Sequence, residues 1–199
     1  MNTDVATEKW SHQHVAYGPG WTQLYWSTRD HPSRAVICDT LKTISFTSLV
    51  ELGCNSGPML SVIHERFPKA KLTGVETNAL AVEDGARLLP SATFALDSLM
   101  GWLPKQDARS YDVVLSYYTL AYVAPRDLPA VLWQTVRVAK RAVVLAEPVA
   151  TPTEPPGMVY AYPEWRHDYV AAFRHLGWKA ETHPLPRKDH LNELVVVKI

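Results

Sequence analysis

The sequence predicts an α/β fold: a seven-stranded, mostly parallel sheet with helices on both faces and an antiparallel hairpin at its C-terminal end. Three observations predict it. The 199 residues, 47% hydrophobic and 20% charged, suffice for one sizeable core and are too few for two of ordinary size. From Thr47 onward, short apolar runs at 48–52, 71–75, 92–95, 112–116 and 142–146 alternate with helical patterns, the signature of βαβ units whose strands are covered on both sides. Two last β patterns, 178–182 and 193–198, flank the turn-rich stretch PLPRKDHLN, which makes them an antiparallel pair.

The first part of the chain, residues 1–43, is rich in aromatics and histidine (Trp10, His12, His14, Tyr17, Trp21, Tyr25, Trp26, His31) and is broken by Gly18-Pro19-Gly20. Helices are expected there. Further helices are expected at 58–66, where Pro58 suits a first helical position after Ser56 or Gly57, at 80–88, and at 128–139. The last has Leu128, Val131, Leu132, Thr135, Val136 and Ala139 on one stripe. The proline-rich stretch VATPTEPPGMVYAYP after Pro148 reads as a loop that cannot enter a sheet interior, and a helix over 163–175, ended by Gly177, follows it. The organisation expected is a helical N-terminal arm or lid over 1–45 and a ligand-binding domain over 46–199.

Twenty basic and twenty acidic side chains cancel, which removes the long-range field that nonspecific nucleic-acid binding needs; no nucleic-acid partner is expected. Cys38 and Cys54 are too far apart for a CxxC motif and too few for a disulfide framework, which favours a reducing compartment. The start carries acids where a secretory leader would be basic and then apolar, and no run approaches the ~20 apolar residues of a membrane span. A soluble cytoplasmic protein, monomer or homodimer, without a metal, is the expectation.

The most informative residues are Glu51-Leu52-Gly53-Cys54-Asn55-Ser56-Gly57-Pro58, placed where a strand turns into a helix. Glycine there lets a ligand approach the backbone, and the helix start offers unpaired N–H groups. About 20 residues on, the run Leu72-Thr73-Gly74-Val75 ends in Glu76, a carboxylate suited to both hydroxyls of a ribose. Asp97 ends the next strand pattern. Acids at the carboxyl ends of successive parallel strands face one crevice, so the set favours an adenosine-like ligand. The G-x-G-x-x-G of nicotinamide enzymes is broken by Asn55 and Pro58, and the Gly-Lys-Ser/Thr of a P-loop is absent.

On these residues the stretch 49–148 resembles a class I S-adenosylmethionine-dependent methyltransferase, whose fold is Rossmann-like. The family's first motif, roughly E/D-x-G-x-G-x-G, is matched by Glu51, Gly53 and Gly57, with Asn55 at the middle glycine; Glu76 in Gly-Val-Glu matches the second motif's acid. Asp97-Ser98 falls where the family contacts adenine, with Leu99 or Met100 packing on the ring. Tyr111-Asp112-Val113-Val114-Leu115-Ser116-Tyr117-Tyr118 and the run through Glu147-Pro148 resemble its fourth and fifth strands. The resemblance implies S-adenosylmethionine as cofactor and S-adenosylhomocysteine as product, with Glu51, Gly53, Cys54, Asn55, Gly57, Glu76, Asp97, Ser98, Leu99 and Ser116 around the cofactor. Tyr117 and Tyr118 are the candidate catalytic residues, one lining the pocket and the other packing behind it.

Methyl transfer is an in-line displacement dominated by positioning, and a base is needed only if the acceptor must lose a proton. Candidate bases are His12, His14, His31, His167 and His183, and Arg29 or the run His31-Pro32-Ser33-Arg34 suits the cofactor's carboxylate or an acidic substrate. The N-terminal segment and the loop over 149–165 are the expected lid. A small-molecule acceptor is expected, since no Asn/Asp-Pro-Pro-Tyr motif follows the fourth strand. The alternatives are a nucleic-acid or protein methyltransferase, another use of the same adenosine cofactor such as aminopropyl transfer, and a cofactor-binding module without turnover.

Overall fold

The computed structural model describes residues 20–150, 158–161, 164–186 and 193–199. Its main sheet has seven strands, β1 (Ser48–Leu52), β2 (Lys71–Glu76), β3 (Ala92–Leu96), β4 (Tyr111–Tyr117), β5 (Ala139–Glu147), β8 (Ala180–Pro184) and β9 (Glu193–Lys198), in the order β3-β2-β1-β4-β5-β9-β8. The first five run parallel, and β9 lies antiparallel between β5 and β8. The fold class and the terminal hairpin read from the sequence are those observed.

Strand alternation splits the core into two layers. Leu49, Val113, Leu115, Val144, Ala146, Leu194 and Val196 face α2 (Pro32–Lys42) and α3 (Pro58–Arg66), with Ile37, Cys38, Leu41, Leu60 and Ile63 buried among them. Val50, Leu52, Val114, Val143, Leu145, Val195 and Val197 face α6 (Leu128–Val138) and α7 (Tyr169–His175) across Leu128, Val131, Leu132, Tyr169 and Phe173. Burying a Leu or Phe side chain is worth about 1.5 to 3 kcal/mol, so two such layers clamp the sheet between them. Helices α1 (Gly20–Ser27), α4 (Ala79–Leu88) and α5 (Leu99–Trp102) complete the set named here.

The helix expected over 163–175 begins later, at Tyr169. Glu164–Arg166 is instead a strand, β7, paired antiparallel with β6 (Met158–Ala161) in a small separate sheet. The Asp168 side chain accepts from Ala171 N at 2.8 Å and so caps α7 there. The stretch read as a loop after Pro148 thus contains β6; its residues 151–157 and 162–163 lie outside the described residues, as do 1–19 and the turn at 187–192. β8 starts two residues after the position expected, because Gly177 N and Trp178 N turn back to Arg174 O and Phe173 O and close α7 first.

Candidate functional site

The strand order reverses between β1 and β4, and in open parallel sheets the crevice at such a point, at the carboxyl ends of the strands, is where ligands bind. On the β1 side the chain bends through three left-handed residues, Gly53 (φ 68°), Asn55 (φ 49°) and Gly57 (φ 82°), before α3 starts at Pro58. Gly53 N and Cys54 N bond to Val75 O at 2.8 and 3.1 Å, which locks the bend to β2. Asn55 holds its conformation with its own side chain, Oδ1 accepting from Ser56 N at 2.7 Å. Gly57 caps α3 with no side-chain acceptor, and a Cβ there would meet the Phe94 ring at 2.8 Å, so this glycine serves helix-to-sheet packing.

Glu76 ends β2 beside the bend. Its Oε2 accepts from Asn55 N at 2.9 Å, while Oε1 accepts from Thr77 N, Asn78 N and Thr77 Oγ1 at 2.7, 3.0 and 3.1 Å. Oε1 is filled by these three donors, and Oε2 has room for a further donor. Glu51 is buried on the α2 and α3 face of β1, and its Oε2 has no hydrogen-bond partner among the described residues. Burial pushes its carboxyl up to about 8, with Arg34 acting against the rise. Arg34, buried over the Tyr117 ring at 4.8 Å, donates to Thr28 O and Thr28 Oγ1, and its Nη1 is likewise without a partner among the described residues.

The β4 side is built from side chains. Tyr117 and Tyr118 part company: Tyr117 OH lies 2.9 Å from Ser33 Oγ on α2, which lies 2.7 Å from His31 Nδ1, whereas Tyr118 OH donates to Glu164 on β7 at 3.2 Å. Their divergence needs Tyr118 at φ 55°, a strained conformation for an aromatic residue. Glu147, fully buried at the end of β5, holds that turn. It accepts from Ser116 Oγ at 2.6 Å, from Thr119 N at 2.9 and 3.0 Å and from Ala121 N at 3.3 Å. Burial raises its carboxyl to about 7 against the pull of those donors. Thr119 Oγ1 in turn donates to Gly53 O at 3.3 Å, and a Cβ on Gly53 would overlap the Thr119 side chain. The two halves of the crevice therefore meet at Gly53 and Thr119.

The other residues singled out from the sequence are placed as follows. Ser116 is buried with its hydroxyl given to Glu147, and Cys54 is buried with Sγ on Asn55 O at 3.3 Å; neither side chain is exposed to the crevice. Half-buried Asp97 accepts from Ser98 N at 2.8 Å and pairs with Lys105 at 2.7 Å, Ser98 caps α5, Leu99 is partly buried and Met100 is 44% exposed. Of the candidate bases, His31 caps α2, His167 is buried with Nε2 3.0 Å from Val123 O and is pushed down to about 4 by burial, and His183 is exposed on the outermost strand. His12 and His14 lie outside the described residues.

Helix α1 spans the mouth. Trp26 Nε1 donates to Ser56 Oγ at 3.1 Å, Thr22 bonds Asp84 of α4, and Arg29 pairs with Glu65 of α3. Tyr25 feels both Glu76 and Glu164: burial first, then both charges, push its hydroxyl up. Sequence reasoning missed Glu147, Thr119, Tyr122 and Glu164. For Glu147 the signal was there, an acid at the carboxyl end of a parallel strand like Glu76; Thr119 and Tyr122 follow directly on the stretch that resembles the family's fourth strand but carried no assigned role, and for Glu164 no local pattern exists.

The donor set fits an adenosyl amino acid. Two orphaned groups, the Glu51 carboxyl at Oε2 and the Arg34 guanidinium at Nη1, match an amino and a carboxylate end, and the open lone pair of Glu76 Oε2 matches a ribose hydroxyl.

Residues 49–142 match the family model described as a methyltransferase domain. The trans-aconitate 2-methyltransferase of Paracidovorax citrulli is 31% identical over 79 residues, 40% of this chain and 30% of that protein. The chain spans less than a third of the length of the curated relatives it matches. Two solved structures share the fold. Magnesium protoporphyrin IX methyltransferase from Synechocystis, with bound S-adenosylmethionine, has TM-score 0.72 at 12% identity, over 98% of this chain and 96% of its own. The 1,6-didemethyltoxoflavin-N1-methyltransferase of Burkholderia thailandensis, with S-adenosylhomocysteine, has TM-score 0.71 at 14% identity over 98% and 87%. Residues 49–142 thus match a methyltransferase domain, and the chain shares its fold with solved methyltransferases that hold S-adenosylmethionine or S-adenosylhomocysteine.

Proposed function

We propose that the chain transfers a methyl group from S-adenosylmethionine to a small-molecule acceptor. The observation that carries the reading is the left-handed bend Gly53–Asn55–Gly57 at the sheet's reversal point, with Glu76 beside it and the orphaned Glu51 and Arg34 behind it. In this reading Arg34 holds the cofactor's carboxylate, Glu51 its ammonium and Glu76 Oε2 a ribose hydroxyl. Asp97, Ser98 and Leu99 flank the adenine. The cofactor supplies an activated methyl on sulfonium. The chain's own part is positioning: Tyr118 and Thr119, held by Glu147, set the floor on which an acceptor approaches in line, and α1 with β7 excludes water.

The arm over 1–45 acts as the lid, its described part bonded across α3 and α4. The small acceptor is supported by the balanced charge of the chain and by the named substrates of the two solved structures. Two buried free cysteines, Cys38 and Cys54, suit the reducing cytoplasm. Calorimetric titration with S-adenosylhomocysteine is expected to give micromolar or tighter binding, on the order of −8 kcal/mol. Analysis of spent cofactor should then find S-adenosylhomocysteine; absence of binding removes the function, and methylthioadenosine in its place would mean aminopropyl transfer.

A further inference from the structure

Glu164 stands on β7, which pairs with β6 in the small two-stranded sheet. It is half-buried, and its two carboxylate oxygens are taken by phenols: Oε2 accepts from Tyr118 OH at 3.2 Å and Oε1 from Tyr122 OH at 3.0 Å. The Tyr118 and Tyr122 rings lie 6.2 Å apart, tilted by 55°, and Tyr25 of α1 is near enough to feel the charge. No Lys, Arg or His among the described residues comes within ion-pair distance of Glu164. Arg166, two residues along the strand, acts on Tyr118 yet makes no ion pair with this carboxylate. A carboxylate drawn out of water among aromatic rings ordinarily has a cation beside it. Two phenol donors steady the charge and do not neutralise it.

We propose that the missing cation is the acceptor: Glu164 seats a protonated amine among Tyr118, Tyr122 and Tyr25, and that amine nitrogen receives the methyl group. The proposal rests on the methyltransferase reading and adds the acceptor class. Each carboxylate oxygen retains a lone pair for an N–H, and the ring faces attract an ammonium by their quadrupoles. Thr119, next in the chain to Tyr118, touches Gly53, so the turn that carries Tyr118 also reaches the bend assigned to the cofactor. An ammonium has no lone pair to attack with. It gives one N–H proton to the Glu164 carboxylate; the freed lone pair then forms the N–C bond while the electron pair of the broken C–S bond stays with sulfur. The methylated nitrogen carries the positive charge that sulfur lost, and Glu164 returns its proton to solvent. A carboxylate acceptor would instead meet like charge.

The test uses the full chain saturated with S-adenosylhomocysteine and three probes of one shape, cyclohexylamine, cyclohexanol and cyclohexanecarboxylate, with affinities from ligand-observed NMR titration. The amine is expected to bind about tenfold or more tighter than the carboxylate. Glu164→Gln should lose about tenfold of amine affinity, Glu164→Asp and Tyr122→Phe should keep most of it, and all three should bind S-adenosylhomocysteine within about twofold of wild type. Equal or tighter binding of the carboxylate, or undiminished amine binding by a folded Glu164→Gln, overturns the proposal while the methyltransferase reading stands. Failure of the wild-type chain to bind S-adenosylhomocysteine removes that reading and the proposal with it.

Discussion

The two sides of the crevice are made in different ways. The β1 side is backbone: one strand, one bend and one helix start, contiguous from Glu51 to Pro58, tied to the end of the adjacent strand through Val75 O and Glu76. The β4 side is side chains gathered from far apart, with Tyr118 and Tyr122 on the turn after β4, Glu147 on β5 and Glu164 on β7. The first side suits a ligand shared by a whole family, because N–H groups and glycine do not vary with the substrate. The second side suits whatever one acceptor demands. Specificity is concentrated where the chain had most freedom to choose residues.

The sharpest way to break this division is at Gly53, where the sides touch. Gly53→Val puts a branched side chain at φ 68° and into Thr119, which should cost roughly 2 to 5 kcal/mol in urea unfolding and abolish S-adenosylhomocysteine binding. A variant as stable and as tightly binding as wild type would mean the two sides are independent. The physical reason differs from the one the sequence suggested. A side chain there strikes the β4 turn before it reaches any ligand.

Glu76→Ala tests the backbone side alone. It strips the acceptor from Asn55 N, Thr77 N and Asn78 N and the open lone pair of Oε2, so S-adenosylhomocysteine affinity should fall by roughly 2 to 4 kcal/mol. Amine binding at Glu164 should change far less. A loss shared equally by both ligands would erase the distinction.

The smallest effect is a pH dependence that reads both sides at once. Glu51 and Glu147 are raised by burial to about 8 and about 7, so the folded chain keeps protons that the unfolded chain has lost above its ordinary carboxyl range. Their contribution is full at low pH and is lost as pH rises toward 8. His167, pushed down to about 4, works the other way between that value and 6.5, where only the unfolded chain binds its proton. Stability should therefore decline between pH 6.5 and 8, with a slope up to about 1.4 kcal/mol per pH unit for each proton retained. Urea unfolding across that range checks it, and Glu51→Gln should flatten the upper part; a rise in stability over the same range would contradict the burial of both acids.

How far the site could be read from the chain follows the same division. Glu51, Gly53, Asn55, Gly57 and Glu76 were legible because residue type and spacing alone place backbone donors and an acid at adjacent strand ends. Tyr117 and Tyr118 were visible as a pair, yet their opposite destinations, Ser33 and Glu164, were not. Nothing within a few residues of Trp165 announces that Glu164 will face two phenols, because β7 owes its extended form to pairing with β6. The same pairing displaced the helix expected from Pro163.

By itself the sequence determined the layered sheet, its parallel core with a reversed strand near the end, and the bend at the carboxyl end of β1, since periodicity of two, glycine at positive φ and acids at strand ends are local properties. Only the tertiary structure decided that Thr119 fills the space above Gly53, that Glu147 holds a strained Tyr118, and that Glu164 meets two phenols and no counter-ion among the described residues. Those outcomes depend on which distant side chains become neighbours when the sheet closes, and burial then sets their charge, which no stretch of chain encodes alone.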